Sequence, residues 1–222
     1  MCMNFYDQLI QQTEPDRHEL YAAPMIQSAL KGKISKETYV TFLSQAYHHV
    51  RHTVPLLMAC GSRLSSEYEF MKKGITEYIE EEYGHEQWIL NDIQYCGINP
   101  EKVKQSRPHL TTDLMVRYAY HQIDRENPVG FFGMVFVLEG TSTALATQAA
   151  EALKTSLKLP NKAFSYLLSH GSLDQDHVQF FEQLVNQLSD EKDKQAIVHS
   201  AKAVFKLYGD IFRAIPNMEP LV

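Results

Sequence analysis

One apolar stretch most constrains the fold of this chain, because the only charged residue between Val129 and Ala150 is Glu139. A helix of this length could cross a lipid bilayer. A charge near the bilayer centre opposes insertion by roughly 2.5–3.5 kcal/mol, and several threonine, serine and glutamine side chains follow Glu139. A helix buried at the centre of a bundle fits this composition better. We therefore expect a protein without a membrane segment, whose other helices surround this one.

The rest of the chain predicts an all-α fold, because helical periodicity recurs throughout and alternating strand patterns do not. Capping residues, prolines and glycines place the helix ends. The predicted helices are 4–12, 18–30, 36–63 with a kink or break at Pro55, 66–96 after a capping box, a short helix from Asn99, one from Thr111 or Thr112 to 126, the apolar helix from Asn127, the helix holding His170, and 190–215. We expect one all-helical domain over residues 1–222, with about seven to nine helices and with 217–222 as a loose tail.

Composition excludes several classes of function. With 44% hydrophobic and 22% charged residues, the chain has the composition of a folded protein. The formal net charge of −6 and the lack of a lysine or arginine cluster argue against nucleic acid as a partner. Three cysteines without metal-site spacing, and an N-terminus without a secretory signal, predict reduced thiols and a cytoplasmic location.

Three side chains on one predicted helix have the spacing of a metal site. His170, Asp174 and His177 lie at offsets of four and seven residues, so they share an arc about 60° wide on a helix. Two imidazoles and a carboxylate suit iron, manganese or zinc better than magnesium or calcium, which prefer oxygen ligands. A solvated helix face is the alternative interpretation of the same pattern.

The carboxylate of Glu139 is expected to be buried, because the helix around it is apolar on every side. A buried carboxylate is costly unless it is protonated, paired or bound to a metal. Glu139 is therefore a candidate bridging ligand, and the alternative is a structural glutamate satisfied by an arginine or by backbone donors. Gly133 and Gly140 on the same helix predict close approach of neighbouring helices.

A third helix supplies a further imidazole. Glu81 and Glu82 precede His85 by four and three residues, so either carboxylate could share its face. Glu82 with His85 forms the Glu-x-x-His pair used in diiron bundles, although acidic runs are usually solvated surface. His85, one of these glutamates, Glu139 and the residues at 170, 174 and 177 would suffice for two divalent ions with open positions left for oxygen or substrate.

The order of these elements resembles the heme-oxygenase-like diiron oxidases and oxygenases, which belong to the fold superfamily of TenA/THI-4, PqqC and heme oxygenase. The resemblance covers roughly residues 21–181. It implies a seven-helix bundle, commonly a homodimer, that holds two nonheme irons, activates O2 and oxidises a small molecule such as an amine, an amino acid or a fatty acid.

Carried over by position, the resemblance makes five residues iron ligands: His85, Glu139, His170, Asp174 and His177. Some members of the family place the first glutamate seven residues before the histidine, where this chain has Tyr78. Others use the three-residue spacing, which Glu82 fits. We therefore predict Glu82 as the sixth ligand, with Glu81 in reserve.

The same superfamily offers other interpretations. The stretch 18–50 also resembles the start of heme oxygenases, where a histidine near the position of His18 ligates heme, but Gly140 is not followed by the further glycines expected in a distal helix. A TenA-type thiaminase would need a nucleophilic cysteine; Cys60 and Cys96 lie outside that family's motif, and Cys2 is terminal. A metal-free bundle that binds a small molecule or serves cofactor biosynthesis is the remaining alternative.

A second histidine cluster lies on the predicted helix 36–63. His48 and His52 have the four-residue spacing that can hold a metal, and His49 lies between them. We expect one or two of the three to line the pocket near the metal ligands, with the substrate entering beside this helix, and the others to lie at the surface.

Overall fold

The computed structural model describes residues 3–219 of the chain, and for residues 171–176 it describes the helical backbone without the side chains. Every regular element in this part is helical, which confirms the all-α prediction. The α-helices are α1 Phe5–Gln12, α2 Glu14–Tyr21, α3 Pro24–Ala29, α4 Lys36–Val50, α5 Thr53–Gly61, α6 Glu69–Glu82, α7 His85–Tyr95, α8 Pro100–Gln105, α9 Leu110–Arg125, α10 Phe132–Leu157, α11 Ser165–Val185 and α12 Glu191–Ala214. Short 3-10 helices cover Ser66–Tyr68, Pro128–Phe131, Asn161–Phe164 and Ile215–Asn217.

Several predicted helix starts are confirmed by their capping bonds. The side chain of Ser35 accepts a hydrogen bond from the backbone N–H of Thr38, and Asn99 caps α8 through the N–H of Glu101. Two other predictions are wrong. His109, rather than Thr111 or Thr112, caps α9. The capping box at residues 66–69 does not form, because that segment is a 3-10 turn and α6 begins at Glu69.

The predicted number of helices is too low, because three long predicted helices are each broken. Residues 18–30 are divided between α2 and α3 at Pro24, since the residue before a proline avoids the helical conformation. The break between α4 and α5 lies ahead of Pro55, whose ring would clash with the carbonyl of Arg51 in a continuous helix. Residues 66–96 are interrupted at Gly84.

Helix α10 is the centre of the bundle and packs most extensively against α11 and α12. At Gly133 an added Cβ would lie 2.5 Å from the backbone nitrogen of Ala201, so α10 and α12 touch backbone to backbone there. The same expectation for Gly140 is wrong, since no described residue lies within 4 Å of a Cβ at that position.

The segment Pro128–Leu157 is long and apolar enough to cross a membrane, but 61% of its most apolar window is buried inside the protein. This burial is typical of the core helix of a bundle, as the sequence predicted.

Candidate metal centre

The break between α6 and α7 places the first two candidate ligands. Glu82 is the last residue of α6 and His85 is the first residue of α7, so the prediction that they share one helix face is wrong. Gly84 has φ of +89°, a conformation that glycine adopts far more readily than other residues. The turn nevertheless brings Oε2 of Glu82 to 3.1 Å from Nδ1 of His85, with both side chains largely buried.

His170 on α11 joins this pair. One ligand atom from each of Glu82, His85 and His170 lies within 4.8 Å of the others, a grouping that could hold a metal ion. The ring centroids of the two histidines are 4.9 Å apart, and Trp88 stacks on His85 at 4.0 Å. We call Glu82, His85 and His170 the Glu82 cluster.

His177 lies seven residues after His170 on α11 and faces two other carboxylates. Its Nε2 lies 2.8 Å from Oε2 of Glu81, and its Nδ1 lies 3.6 Å from Oε1 of Glu139. Tyr78 donates a hydrogen bond of 3.4 Å to the other oxygen of Glu139. Glu139 is buried, as the sequence predicted, whereas the side chain of Glu81 is 51% exposed. The two glutamates before His85 therefore contact different imidazoles. Glu82 contacts His85, and Glu81 contacts His177.

Charges across the site act on Glu82. Burial alone would raise its pKa, but the hydrogen bond with His85 and the nearby His85, His170 and His177 outweigh burial and lower the pKa below its usual value. The carboxylate is therefore held in the charged form that ligates metals.

The tautomer of His170 also suits a ligand. Its Nδ1 donates to the backbone carbonyl of Tyr166 at 2.9 Å. A carbonyl only accepts hydrogen bonds, so Nδ1 carries the hydrogen and Nε2 of the neutral ring has the lone pair that a metal needs. Such a bond to the second nitrogen is the usual support of a ligating histidine.

Asp92 on α7 fixes the start of α11, the helix that carries His170 and His177. Its carboxylate is fully buried and accepts from the N–H groups of Ser165 and Tyr166 at 3.0 and 2.9 Å, and from the Ser165 hydroxyl. Sequence reasoning missed Asp92, because its partners lie more than seventy residues further along the chain.

Asp174 is the one predicted ligand that cannot be placed. Its side chain lies outside the described residues, so its role stays a prediction.

The structure separates the second histidine cluster. His49 borders a cavity of about 720 Å³, which we call the polar cavity. Its lining includes Tyr78, Glu82, Glu139, Ser142, Tyr166, His170 and Tyr208. Nε2 of His48 instead pairs with the hydroxyl of Ser106 at 2.9 Å, and Nδ1 of His52 pairs with that of Tyr120 at 3.2 Å. Of the three histidines, His49 alone borders this cavity in the part of the chain that is described.

The residues behind the other interpretations lie in unfavourable places. His18 is exposed on α2 and does not border the polar cavity. Burial raises the pKa of the Cys60 thiol to about 12 and that of Cys96 to about 11, so neither is an activated nucleophile. Cys2 lies outside the described residues.

Solved structures share the fold across nearly the whole chain. A domain of unknown function with a heme oxygenase-like fold from Shewanella denitrificans OS217 has a TM-score of 0.86 at 21% identity, covering 98% of this chain and 94% of its own. Heme oxygenase from Leptospira interrogans has a TM-score of 0.77 at 20% identity, covering 95% and 99%. A TenA homologue from Pseudomonas syringae pv. tomato DC3000 has a TM-score of 0.79 at 10% identity, covering 96% and 92%. These likenesses confirm the heme oxygenase-like fold.

No curated protein matches the chain. A sequence profile does match residues 40–209, and the family it represents is described as iron-containing redox enzymes. The match covers well over half of the chain and includes every candidate ligand. The chain therefore belongs to this family of iron-containing redox enzymes, in the heme oxygenase-like fold.

Proposed function

We propose that this protein is a nonheme diiron enzyme that uses O2 to oxidise a small organic substrate. The observation that carries the proposal is that Glu82 and His170 of the Glu82 cluster border the same cavity as Glu139, the carboxylate that His177 faces. Mixed imidazole and carboxylate donors suit iron, and membership in a family of iron-containing redox enzymes agrees with that choice.

Two ions, rather than one, follow from the size of the donor set. Three imidazoles and three carboxylates form two groups, Glu82 with His85 and His170, and His177 with Glu81 and Glu139, even before Asp174 is counted. They exceed what one iron needs if positions are to stay open for oxygen and substrate. Glu82, His85 and His170 would hold one ion, and Glu139 and His177, with the predicted ligand Asp174, would hold the other.

Bound iron would supply the electrons that activate O2, and the chain's own residues set the conditions for that chemistry. Trp88 and Tyr166 pack on the rings of His85 and His170 and keep water from that side of the site. Burial and the charge of Glu139 raise the pKa of Tyr78 well above its ordinary value. Tyr78 therefore keeps its proton and donates a hydrogen bond to the Glu139 carboxylate, which holds that side chain in place.

Iron titration tests the proposal. Purified protein under anaerobic conditions should bind close to two equivalents of Fe(II), and His170→Ala and Glu139→Ala variants should bind fewer. Glu82→Gln should also bind less iron, whereas the same change at Glu80, exposed on the same helix, should leave the stoichiometry unchanged. Two equivalents bound by all three site variants would refute the ligand assignment.

The same experiment decides between this proposal and its alternatives. Wild-type protein that takes up no metal would favour a metal-free bundle that binds a small molecule, the alternative suggested by the TenA-like fold. A heme protein would instead show a Soret band on addition of hemin that is lost in His18→Ala.

A further inference from the structure

A second cavity adjoins the polar cavity, and its lining is almost entirely apolar. It occupies about 670 Å³ between α3, α4, α10, α11 and α12. We call it the apolar cavity. Its lining includes Met25, Ile26, Leu30, Phe42, Leu145 and Ala146.

The two cavities meet at the candidate metal centre. Among the residues that the structure describes, four border both cavities: Ser142, Tyr166, His170 and Tyr208. A ligand that occupies both spaces must be narrow and flexible where it passes these side chains. An aliphatic chain satisfies this requirement, whereas a fused ring system does not.

Charge limits what the polar end of such a ligand can be. Neither cavity is bordered by a lysine or arginine side chain among the residues that the structure describes. Glu82 and Glu139 place two carboxylates on the polar cavity. The described side chains that border the two cavities therefore include no lysine or arginine to pair with a substrate carboxylate.

His49 supplies the matching hydrogen-bonding group. It is buried, it borders the polar cavity, and its Nδ1 has no hydrogen-bond partner within the described part of the chain. A buried polar group without a partner costs stability, so such a group at a cavity wall is a candidate contact for a ligand. The ring of Tyr208 packs edge-on against His49 at 5.8 Å and holds its orientation.

We propose that the substrate is a single-chain aliphatic compound whose uncharged polar end contacts His49 and whose chain passes His170 into the apolar cavity. This inference rests on the proposed function, because it places the carbons next to the polar end beside the metal ligands. The reaction would then take place near the head of the chain rather than at its far end.

Binding of 1-hexanol, 1-octanol and 1-decanol to the full-length protein, measured by calorimetry without added metal, tests the inference. Each buried methylene should raise the affinity about three- to fourfold, so decanol should bind roughly a hundredfold tighter than hexanol. Decanoate should bind at least tenfold more weakly than decanol.

Four variants locate the two ends of the ligand. Ala146→Leu and Ala149→Leu narrow the apolar cavity. In each variant the gain in affinity from hexanol to decanol should fall to less than tenfold. The same substitution at Ala144, exposed on the same helix, should leave the gain unchanged. His49→Phe should weaken every alcohol by the same factor, about two- to tenfold, because it removes a hydrogen bond without altering the chain site.

Affinity that does not depend on chain length would overturn the inference, and so would a gain that survives in both Ala146→Leu and Ala149→Leu. Decanoate binding as tightly as decanol would overturn the assignment of an uncharged polar end. Iron uptake is measured separately. Normal iron stoichiometry without chain-length dependence refutes only the substrate class, whereas chain-length dependence without iron uptake refutes only the diiron function.

Discussion

Replacement of Asp92 by alanine should destabilise the protein far more than the loss of an ordinary helix cap. The Asp92 side chain is fully buried and accepts three hydrogen bonds at the start of α11, two of them from backbone N–H groups. Alanine leaves those two donors buried without an acceptor. Each such loss costs about 1–3 kcal/mol, so we expect the free energy of unfolding to fall by about 3 kcal/mol.

Thermal unfolding measures this effect. For a chain of this size, 1 kcal/mol shifts Tm by about 2–4 °C, so Asp92→Ala should lower Tm by about 6–12 °C. Asp190→Ala is the matched control, because Asp190 caps α12 with one exposed bond to the N–H of Lys192. That change should cost about 1 kcal/mol. Asp92→Ala should also weaken Fe(II) binding, since α11 carries His170 and His177.

Equal losses in Asp92→Ala and Asp190→Ala would refute the reasoning that burial makes this cap stronger than a surface cap. Unchanged iron affinity in a folded Asp92→Ala protein would show that the start of α11 does not position the histidines.

Three further predictions concern other parts of the chain. Burial lowers the pKa of His49 from its ordinary 6.5 to about 3, so only the unfolded state gains a proton at this residue as the pH falls from 7 to 5. The free energy of unfolding should therefore fall by about 2 kcal/mol over that interval because of His49. Measured by urea unfolding, the free energy of unfolding of His49→Phe should fall by about 2 kcal/mol less than that of the wild type over that interval. An equal fall would contradict the burial argument. Gly84→Ala should lower the free energy of unfolding by about 1 kcal/mol because of its positive φ. Gly140→Ala, inside α10 and with no described residue within 4 Å of its Cβ, should raise it by about 0.5–1 kcal/mol. In thermal unfolding, shifts of the same sign would contradict this account. Cys60 and Cys96 should react with a thiol reagent only on unfolding, and rapid labelling of folded protein would contradict their burial.

Features carried by local sequence could be predicted. The single charge in the apolar stretch predicted that Glu139 would be buried at the centre of the bundle, and Glu139 is buried on α10. Side-chain caps such as Ser35 and Asn99 depend on neighbouring residues, so their positions were also correct. In each case the physical cause lies within a few residues of the feature.

Features that depend on distant partners could not be predicted. Asp92 resembles any polar residue on an amphipathic helix until α11 is placed against it. Tyr78 lies seven residues before His85, where the resemblance suggested that a glutamate could stand, and only the fold shows that its hydroxyl donates to Glu139. The break at Gly84 was missed because one glycine within a helical pattern is tolerated and does not by itself end a helix.

Two adjacent glutamates at the end of α6 contact two different imidazoles. On a helix, neighbouring residues point about 100° apart, so Glu81 and Glu82 diverge at the end of α6. Glu82 contacts His85 across the break between α6 and α7, while Glu81 contacts His177 on α11. Residues three apart on a continuous helix also share a face, so helix periodicity identified the first pair although it missed the break at Gly84. The second contact depends on where α11 packs, which periodicity within α6 does not determine.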